Sequence, residues 1–313
     1  MKREIIIGTR ESGLAMWQAK WVCSRLQELN PDYSFTIKGM KTTGDNILDV
    51  ALAKIGDKGL FTKELELALQ RKEIDMAVHS MKDLPTKLPP GLIIGAISPR
   101  EYPGDVLVST QKVTLDKLPL GARIGTSSLR RRAQLLKFRP DLEIVTVRGN
   151  INTRIRKIEE QNLHGIILAY AGVYRMGFED MIAQKIPFSI CLPAVGQGAM
   201  GLEIRDSDPE IVTVINKLDS PEARHAISAE RALMKKLEGG CQVPIGALAN
   251  IEGSTLTMEA VVASLDGKES IRLNLEGPVQ KAWELGDQLA QRMLDIGAGE
   301  ILEKARQEND IDD

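Results

Sequence analysis

The stretch Arg123-Ile124-Gly125-Thr126-Ser127-Ser128-Leu129-Arg130-Arg131-Arg132 takes the chain from a short strand at Ile124, through a glycine and three hydroxyl residues, into a helix start. A strand that turns directly into a helix is the building step of an α/β sheet. Ligands of such sheets sit beyond the carboxyl ends of the strands, at helix amino termini. The same step recurs on both sides. Apolar, β-branched runs at residues 5–7, 35–40, 74–79 and 92–97 precede it, and others at 106–108, 142–147 and 166–169 surround it. Stretches of helical period separate them, the pattern of parallel sheets covered by helices. Leu14, Trp17, Trp21, Val22, Leu26 and Leu29 form one apolar stripe, ended by Asn30-Pro31. Thr62 is placed to cap another helix, with Glu64 and Glu66 near its positive end.

Two prolines and a glycine within residues 99–105 read as a hinge, and Leu192-Pro193-Ala194-Val195-Gly196-Gln197-Gly198 as the return. Ser220-Pro221 opens a helix that Gly239-Gly240 stops. Three alternating runs at 245–251, 255–264 and 270–275, joined by Glu252-Gly253 and Asp266-Gly267 turns, predict a small antiparallel sheet. A last helix is expected over 278–296, with a frayed acidic tail after Glu308.

At 313 residues the chain exceeds what one hydrophobic core serves, so two or three domains are expected. The 41 basic and 43 acidic residues leave a formal charge of -2, which gives no overall field for DNA or an anionic membrane. An aromatic content of 4% leaves few platforms for stacking bases. Cys23, Cys191 and Cys241 lie far apart, and His79, His164 and His225 are isolated from them, so no zinc spacing can be written and no metal is expected. An odd, dispersed cysteine set fits a reducing compartment, and the leading apolar run is too short for a signal-peptide core or a spanning helix. A cytoplasmic protein is expected.

Charge gathers locally instead. Between Arg123 and Arg156 stand eight arginines and one lysine against Asp141 and Glu143. Arginine forks hold carboxylates in a bidentate way, and hydroxyls with free N–H groups at a helix start complete such a site. Arg10, Arg130, Arg148 and Arg175 follow separate predicted strands, which points to a cleft for a small ligand with several anionic groups, although Arg132, Arg139 and Arg156 read equally well as a solvated face. Asp83, in Ser80-Met81-Lys82-Asp83 after a strand, is the acid best placed for chemistry; its plainer role is a cap or a partner of Lys82. Residues 54–61, Lys-Ile-Gly-Asp-Lys-Gly-Leu-Phe, read as a flap or as a plain loop. Cys241, in Gly239-Gly240-Cys241-Gln242, is either an approachable thiol or an inert buried one.

These segments resemble one family. Gly8-Thr9-Arg10-Glu11-Ser12, Leu52-Ala53-Lys54-Ile55-Gly56-Asp57-Lys58-Gly59-Leu60-Phe61, Ala77-Val78-His79-Ser80-Met81-Lys82-Asp83, Gly125-Thr126-Ser127-Ser128-Leu129-Arg130-Arg131, Val147-Arg148-Gly149-Asn150, residues 192–198 and Leu237-Glu238-Gly239-Gly240-Cys241-Gln242-Val243-Pro244 resemble, in order, the bacterial type of porphobilinogen deaminase, also called hydroxymethylbilane synthase. The resemblance implies a transferase of haem and tetrapyrrole biosynthesis that condenses four porphobilinogen molecules head to tail with release of ammonia. It also implies a dipyrromethane cofactor, held by a thioether to Cys241. Asp83 would be catalytic, stabilising the cation left when ammonia departs and then helping to remove a proton. Lys82, Thr126, Ser127, Ser128, Arg130 and Arg131 would hold the cofactor, and Arg10, Ser12, Arg148, Arg154, Arg175 and the flap residues Lys54, Lys58 and Phe61 the substrate and growing chain.

The implied fold is two periplasmic-binding-protein-like α/β domains plus a small C-terminal α+β domain with a three-stranded antiparallel sheet. The domains would span 1–98 with 199–217, 104–193, and 218–313. A monomer is implied. One departure stands out: Gly104 occupies a position where many relatives have arginine, and the expectation is that glycine loosens the hinge there. A solute-binding module without chemistry would share this fold but need no reactive cysteine. A nucleic-acid binder using the arginine stretch would show strongly salt-dependent affinity.

Overall fold

In a computed structural model that describes residues 3–42, 61–237 and 243–312, the strand runs and helical stripes assemble into three sheets. The chain first forms β1 (Arg3–Arg10), α1 (Gly13–Leu29), β2 (Tyr33–Met40), α2 (Lys63–Gln70), β3 (Met76–Ser80) and β4 (Leu92–Ile97). It continues with β5 (Asp105–Val108), β6 (Arg123–Gly125), α3 (Leu129–Phe138), β7 (Glu143–Val145), α4 (Ile151–Glu160), β8 (Gly165–Ala169), α5 (Tyr170–Arg175) and β9 (Ile182–Lys185). Then come β10 (Met200–Arg205), α6 (Pro209–Asn216), α7 (Pro221–Lys236), β11 (Ile245–Glu252), β12 (Thr255–Ala263), β13 (Ser270–Pro278), α8 (Ala282–Asp295) and α9 (Ala298–Asp312). By internal contacts, residues 3–42, 61–101 and 199–224 form one unit, and 102–198 with 225–237 and 243–312 another.

In the first unit the strand order is β2-β1-β3-β10-β4. β1 runs parallel to β2 and β3, whereas β10 runs antiparallel to both β3 and β4. The second unit contains the order β7-β6-β8-β5-β9, with β6 parallel to β7 and β8, and β5 antiparallel to β8 and β9. The fold class is the expected α/β with a smaller α+β part, but the two larger sheets are mixed rather than parallel. β5 and β10 each follow one of the proline- and glycine-rich segments and enter a sheet against its direction, an arrangement that needs no helical crossover. β9, a half-buried edge strand of four residues, carried too little apolar pattern to be foreseen.

Apolar residues lie on both faces of the first sheet, Ile5, Ile7, Val22, Leu26 and Val78 on one side and Leu65, Leu69, Ile74 and Ala77 on the other. Fully burying one such aliphatic side chain stabilises by roughly 1.5–3 kcal/mol. The face that α1 buries is Ala15, Gln18, Ala19, Val22 and Leu26. It is narrower than the predicted stripe: alanines let the helix approach the sheet, Trp17 and Trp21 flank it half-buried, and Leu29 is exposed. Thr62 starts α2 but makes no side-chain cap, contrary to expectation, because its backbone is already helical there.

The third sheet, β11-β12-β13, is antiparallel throughout and shares a core with α7, α8 and α9 through Leu233, Met258, Leu289, Met293 and Leu302. The tail does not fray after Glu308: backbone helix α9 continues to Asp312. It was missed because Gly297, at φ 101°, breaks the helical run ahead of it. At Gly104 a Cβ would lie 2.4 Å from the ring of Tyr102. The glycine is there to admit that ring, which also meets Tyr170 edge to face at 5.4 Å and Phe188 at 5.5 Å; the loosened-hinge expectation gives way to close packing.

Candidate active site

Register brings the second unit's polar turns to one sheet edge. Gly125 pairs with Val145 and Ile166 in parallel strands, so β6 and β7 end level with one another while β8 runs on in the same direction to Ala169, opposite Asp105 at the start of antiparallel β5. The turn after β6 is tightly organised. Thr126 Oγ1 accepts from the Ser128 N–H at 3.2 Å, and Ser128 caps α3 by accepting from Arg131 N at 3.4 Å. Thr126 is buried, while the Ser127 side chain is exposed at the helix start.

Arg130 and Arg131 are both buried, and both are tied to Asp105. Arg130 Nη1 donates to Asp105 Oδ2 at 2.7 Å and to the Leu192 carbonyl at 2.6 Å. Arg131 Nη2 donates to Asp105 Oδ1 at 2.7 Å, and its Nη1 to the Ile167 carbonyl at 2.9 Å. Gln197 Nε2 adds a third donor to Asp105 at 2.9 Å. Burial alone would raise the Asp105 carboxyl, but the two guanidiniums outweigh it and hold the group well below the usual carboxylate range. Two cations against one anion leave a surplus positive charge, and Arg131 Nε is a buried donor without a partner among the described residues.

Around this centre, Arg148 follows β7 half-buried, Arg154 Nε donates to the Gly149 carbonyl at 2.7 Å, and Arg175 Nη2 donates to the Gly198 carbonyl at 2.7 Å. Arg139 serves another purpose. It pairs with Asp141 at 2.7 Å and bonds the Leu115 carbonyl at 2.9 Å, so it is a half-buried structural tie and not part of a solvated face. Cys191 lies within this network, fully buried, its thiol pushed up by burial to about 12, and so is poorly suited to act as a nucleophile.

In the first unit, the carboxyl ends of β1 and β3 share an edge. The Arg10 guanidinium stands 4.2 Å above the Phe61 ring, so this aromatic, left between a core and a stacking role by the sequence, stacks on an arginine of its own unit. Ser12 caps α1 by accepting from Ala15 N at 3.4 Å. Gln18 Nε2 donates to Ser80 Oγ at 3.0 Å, steadying the end of β3 just before the turn Met81–Asp83 that presents Lys82 and Asp83, both half-buried.

Lys54, Lys58 and Cys241 lie outside the described residues. Three buried groups escaped the sequence reading as site residues: Asp105, Gln197 and Glu230, the last accepting from Gly196 N at 2.7 Å and Ala249 N at 2.9 Å. Asp105 had one available signal, an acidic residue directly ahead of the apolar run Val106-Leu107-Val108. Such a residue has to be paired once the strand is buried.

Comparison with known proteins supplies the rest. Residues 5–213 match a family model described as porphobilinogen deaminase, dipyromethane cofactor binding domain, and residues 225–295 match porphobilinogen deaminase, C-terminal domain. The porphobilinogen deaminase of Pelotomaculum thermopropionicum is 61% identical over 308 residues, covering 98% of this chain and 99% of that one. That of Desulforamulus reducens is 56% identical over 306 residues, with 98% and 99% covered. Among solved structures, the periplasmic aliphatic sulphonate binding protein SsuA of Escherichia coli aligns at 12% identity with a TM-score of 0.41, over 76% of this chain and 71% of that one.

Proposed function

The chain belongs to the porphobilinogen deaminase family, and we propose that the two sheet edges described above carry its reaction through the residues named below. It is a hydroxymethylbilane synthase, a transferase of porphyrin and haem biosynthesis. Four porphobilinogen molecules are joined head to tail with loss of ammonia on a dipyrromethane primer, and the linear tetrapyrrole is then released by hydrolysis.

The observation that carries the assignment of residues is the surplus positive charge of Arg130 and Arg131 around the single carboxylate of Asp105. A carboxylate arm would answer the positive surplus, so the charge of this site fits an acidic dipyrrole. Thr126, Ser127, Ser128, Arg130, Arg131 and Lys82 would hold the cofactor's arms, and Arg10, Ser12, Arg148, Arg154 and Arg175, with Lys54, Lys58 and Phe61, those of substrate and growing chain. The bound dipyrromethane supplies the pyrrole carbon from which the chain is extended. Cys241 would be the attachment point, as the likeness of its Gly-Gly-Cys segment to the family's implies; Cys191, buried within the arginine network with a thiol that resists ionisation, is poorly suited to that role.

Asp83 is the catalytic group. The substrate's aminomethyl group is an ammonium at neutral pH, so ammonia leaves without a donated proton. The Asp83 carboxylate then stabilises the positive charge that remains and accepts the proton released once the new carbon–carbon bond has formed. The turn at Met81–Asp83, fixed behind β3, holds that carboxylate in place.

Three domains, 1–98 with 199–217, 104–193 and 218–313, fit the three sheets and their separate apolar clusters. A cytoplasmic monomer without nucleic-acid partners fits the near-neutral charge and the free thiols of Cys23 and Cys191. No helix among the described residues is long and apolar enough to cross a membrane. The intact mass of the purified chain tests the assignment. A surplus of two linked pyrrole units, absent from Cys241→Ser, is expected; active protein of unmodified mass would refute the thioether.

A further inference from the structure

The sheet face that α2 covers in the first unit carries a buried polar group that the reaction does not use. Side chains alternate along a strand, so Ala77 and His79 of β3 share a face, and Glu203 of β10, paired directly with Ala77, lies on it too. Ala77 packs with Leu65, Ala68 and Leu69 of α2, which sets Glu66 of that helix beside the same face. His79 Nε2 lies 2.9 Å from Glu203 Oε2. Thr62, Glu66, His79 and Glu203 are 1%, 8%, 6% and 0% exposed. Among the described residues, Thr62 Oγ1, Glu66 Oε1 and Glu203 Oε1 find no hydrogen-bond partner.

Buried acceptors without a donor are rare in folded proteins and demand an explanation. Two carboxyl groups in one buried cluster, each with an orphan oxygen, lack a proton between them. We propose that this cluster is a proton-binding site in which Glu66 is held un-ionised, its O–H serving the free oxygen of Glu203 directly or through one water.

The surroundings favour that state. Burial, the largest influence, pushes the Glu66 carboxyl above its ordinary range. The Thr62 hydroxyl, near it but outside hydrogen-bonding geometry, opposes the shift; Glu203 and Glu64 reinforce it and His79 weakens it. Arg205, further along β10 on the same face, is engaged elsewhere. Its Nη1 donates to the Leu69 and Ile74 carbonyls, and its Nη2 to Asp75 and Asp208. β1 and β4 contribute the apolar Ile6 and Leu92 to the packing around α2.

A carboxyl raised in the folded state stabilises fully below its unfolded value, about 4.3 for glutamate, and that contribution is lost as pH rises through the folded value. In that window the unfolding constant rises by up to about tenfold per pH unit. The test compares the full chain with Glu66→Gln, whose amide cannot titrate, by denaturant unfolding from pH 5 to 8 and by infrared difference spectra at neutral pH. Glu66→Gln should gain on the unmodified chain as pH rises, and the difference spectrum should contain the C=O band of an un-ionised acid. Parallel stability curves with only carboxylate bands overturn the proposal, as does stability at pH 8 that depends on potassium or ammonium, which would mean a bound cation instead. If Glu66→Gln does not fold, Glu203→Gln carries the test: the acid band of Glu66 should vanish at lower pH, and an unmoved band overturns the proposal.

Discussion

Arg130 Nη1 lies 2.7 Å from Asp105 Oδ2, with both side chains buried. Because Arg131 holds the other oxygen at the same distance, one carboxylate neutralises part of a two-guanidinium cluster that would otherwise repel itself away from water. Removing that charge should be costly. Asp105→Asn is expected to destabilise by about 3–5 kcal/mol, the scale for a broken buried ion pair, as measured by chemical unfolding at pH 7. The depressed carboxyl gives the sign with pH: its stabilisation is present above the unfolded value of about 3.9 and is lost as pH falls below it. Acid unfolding below about pH 4 should therefore be less steep in Asp105→Asn, and equal steepness would remove the ion pair from the account.

The Tyr102 ring stands where a Cβ on Gly104 would be. Gly104→Ala should cost about 1–3 kcal/mol through overpacking. The same substitution made in a Tyr102→Ala background should cost much less, a coupling that a double-mutant cycle measures directly. Additive effects would mean that the glycine answers to something other than the ring.

How far the sequence could be read depends on which interactions are local. The strand–turn–helix step at residues 123–132 and the caps at Ser12 and Ser128 are encoded within a few residues, and they were legible. The apolar stripe of α1 was misjudged because burial there follows the small Ala15 and Ala19, whose approach to a sheet is a tertiary matter. Strand direction was misjudged for β5 and β10 because a run of apolar residues carries no sign of which way its neighbours run. Within the site, arginines following strands could be picked out one by one. That two of them are clamped by Asp105, with Gln197 behind it, rests on contacts across long sequence separations that no spacing rule reports.

Asp83 ends a short helical turn and is half-buried. Asn is nearly isosteric, so Asp83→Asn should leave the fold and denaturation midpoint little changed while removing the charge proposed to face the developing cation. Turnover is expected to fall by roughly 10²–10⁴, the range for loss of a positioned proton acceptor. Steady-state ammonia release, with circular dichroism as the folding control, decides it; activity within a few-fold of the unmodified chain would move the catalytic role elsewhere.

Glu230 is fully buried, and each of its oxygens accepts a backbone N–H, Gly196 at 2.7 Å and Ala249 at 2.9 Å. It thereby anchors the segment that carries Gln197, whose amide bonds Asp105 and the Pro103 carbonyl. Glutamine in place of Glu230 offers one acceptor and one NH2 group, so one of the two backbone donors must face another donor in a fully buried site. Leaving a buried donor unsatisfied costs about 1–3 kcal/mol, and the cost should appear locally as faster amide hydrogen exchange at Gly196 or Ala249. Loss of this anchor should also reach Asp105 through Gln197, so Glu230→Gln and Asp105→Asn should not be additive in stability. Unchanged exchange at both amides, or strict additivity, would show that the segment is held by its own turns and not by Glu230.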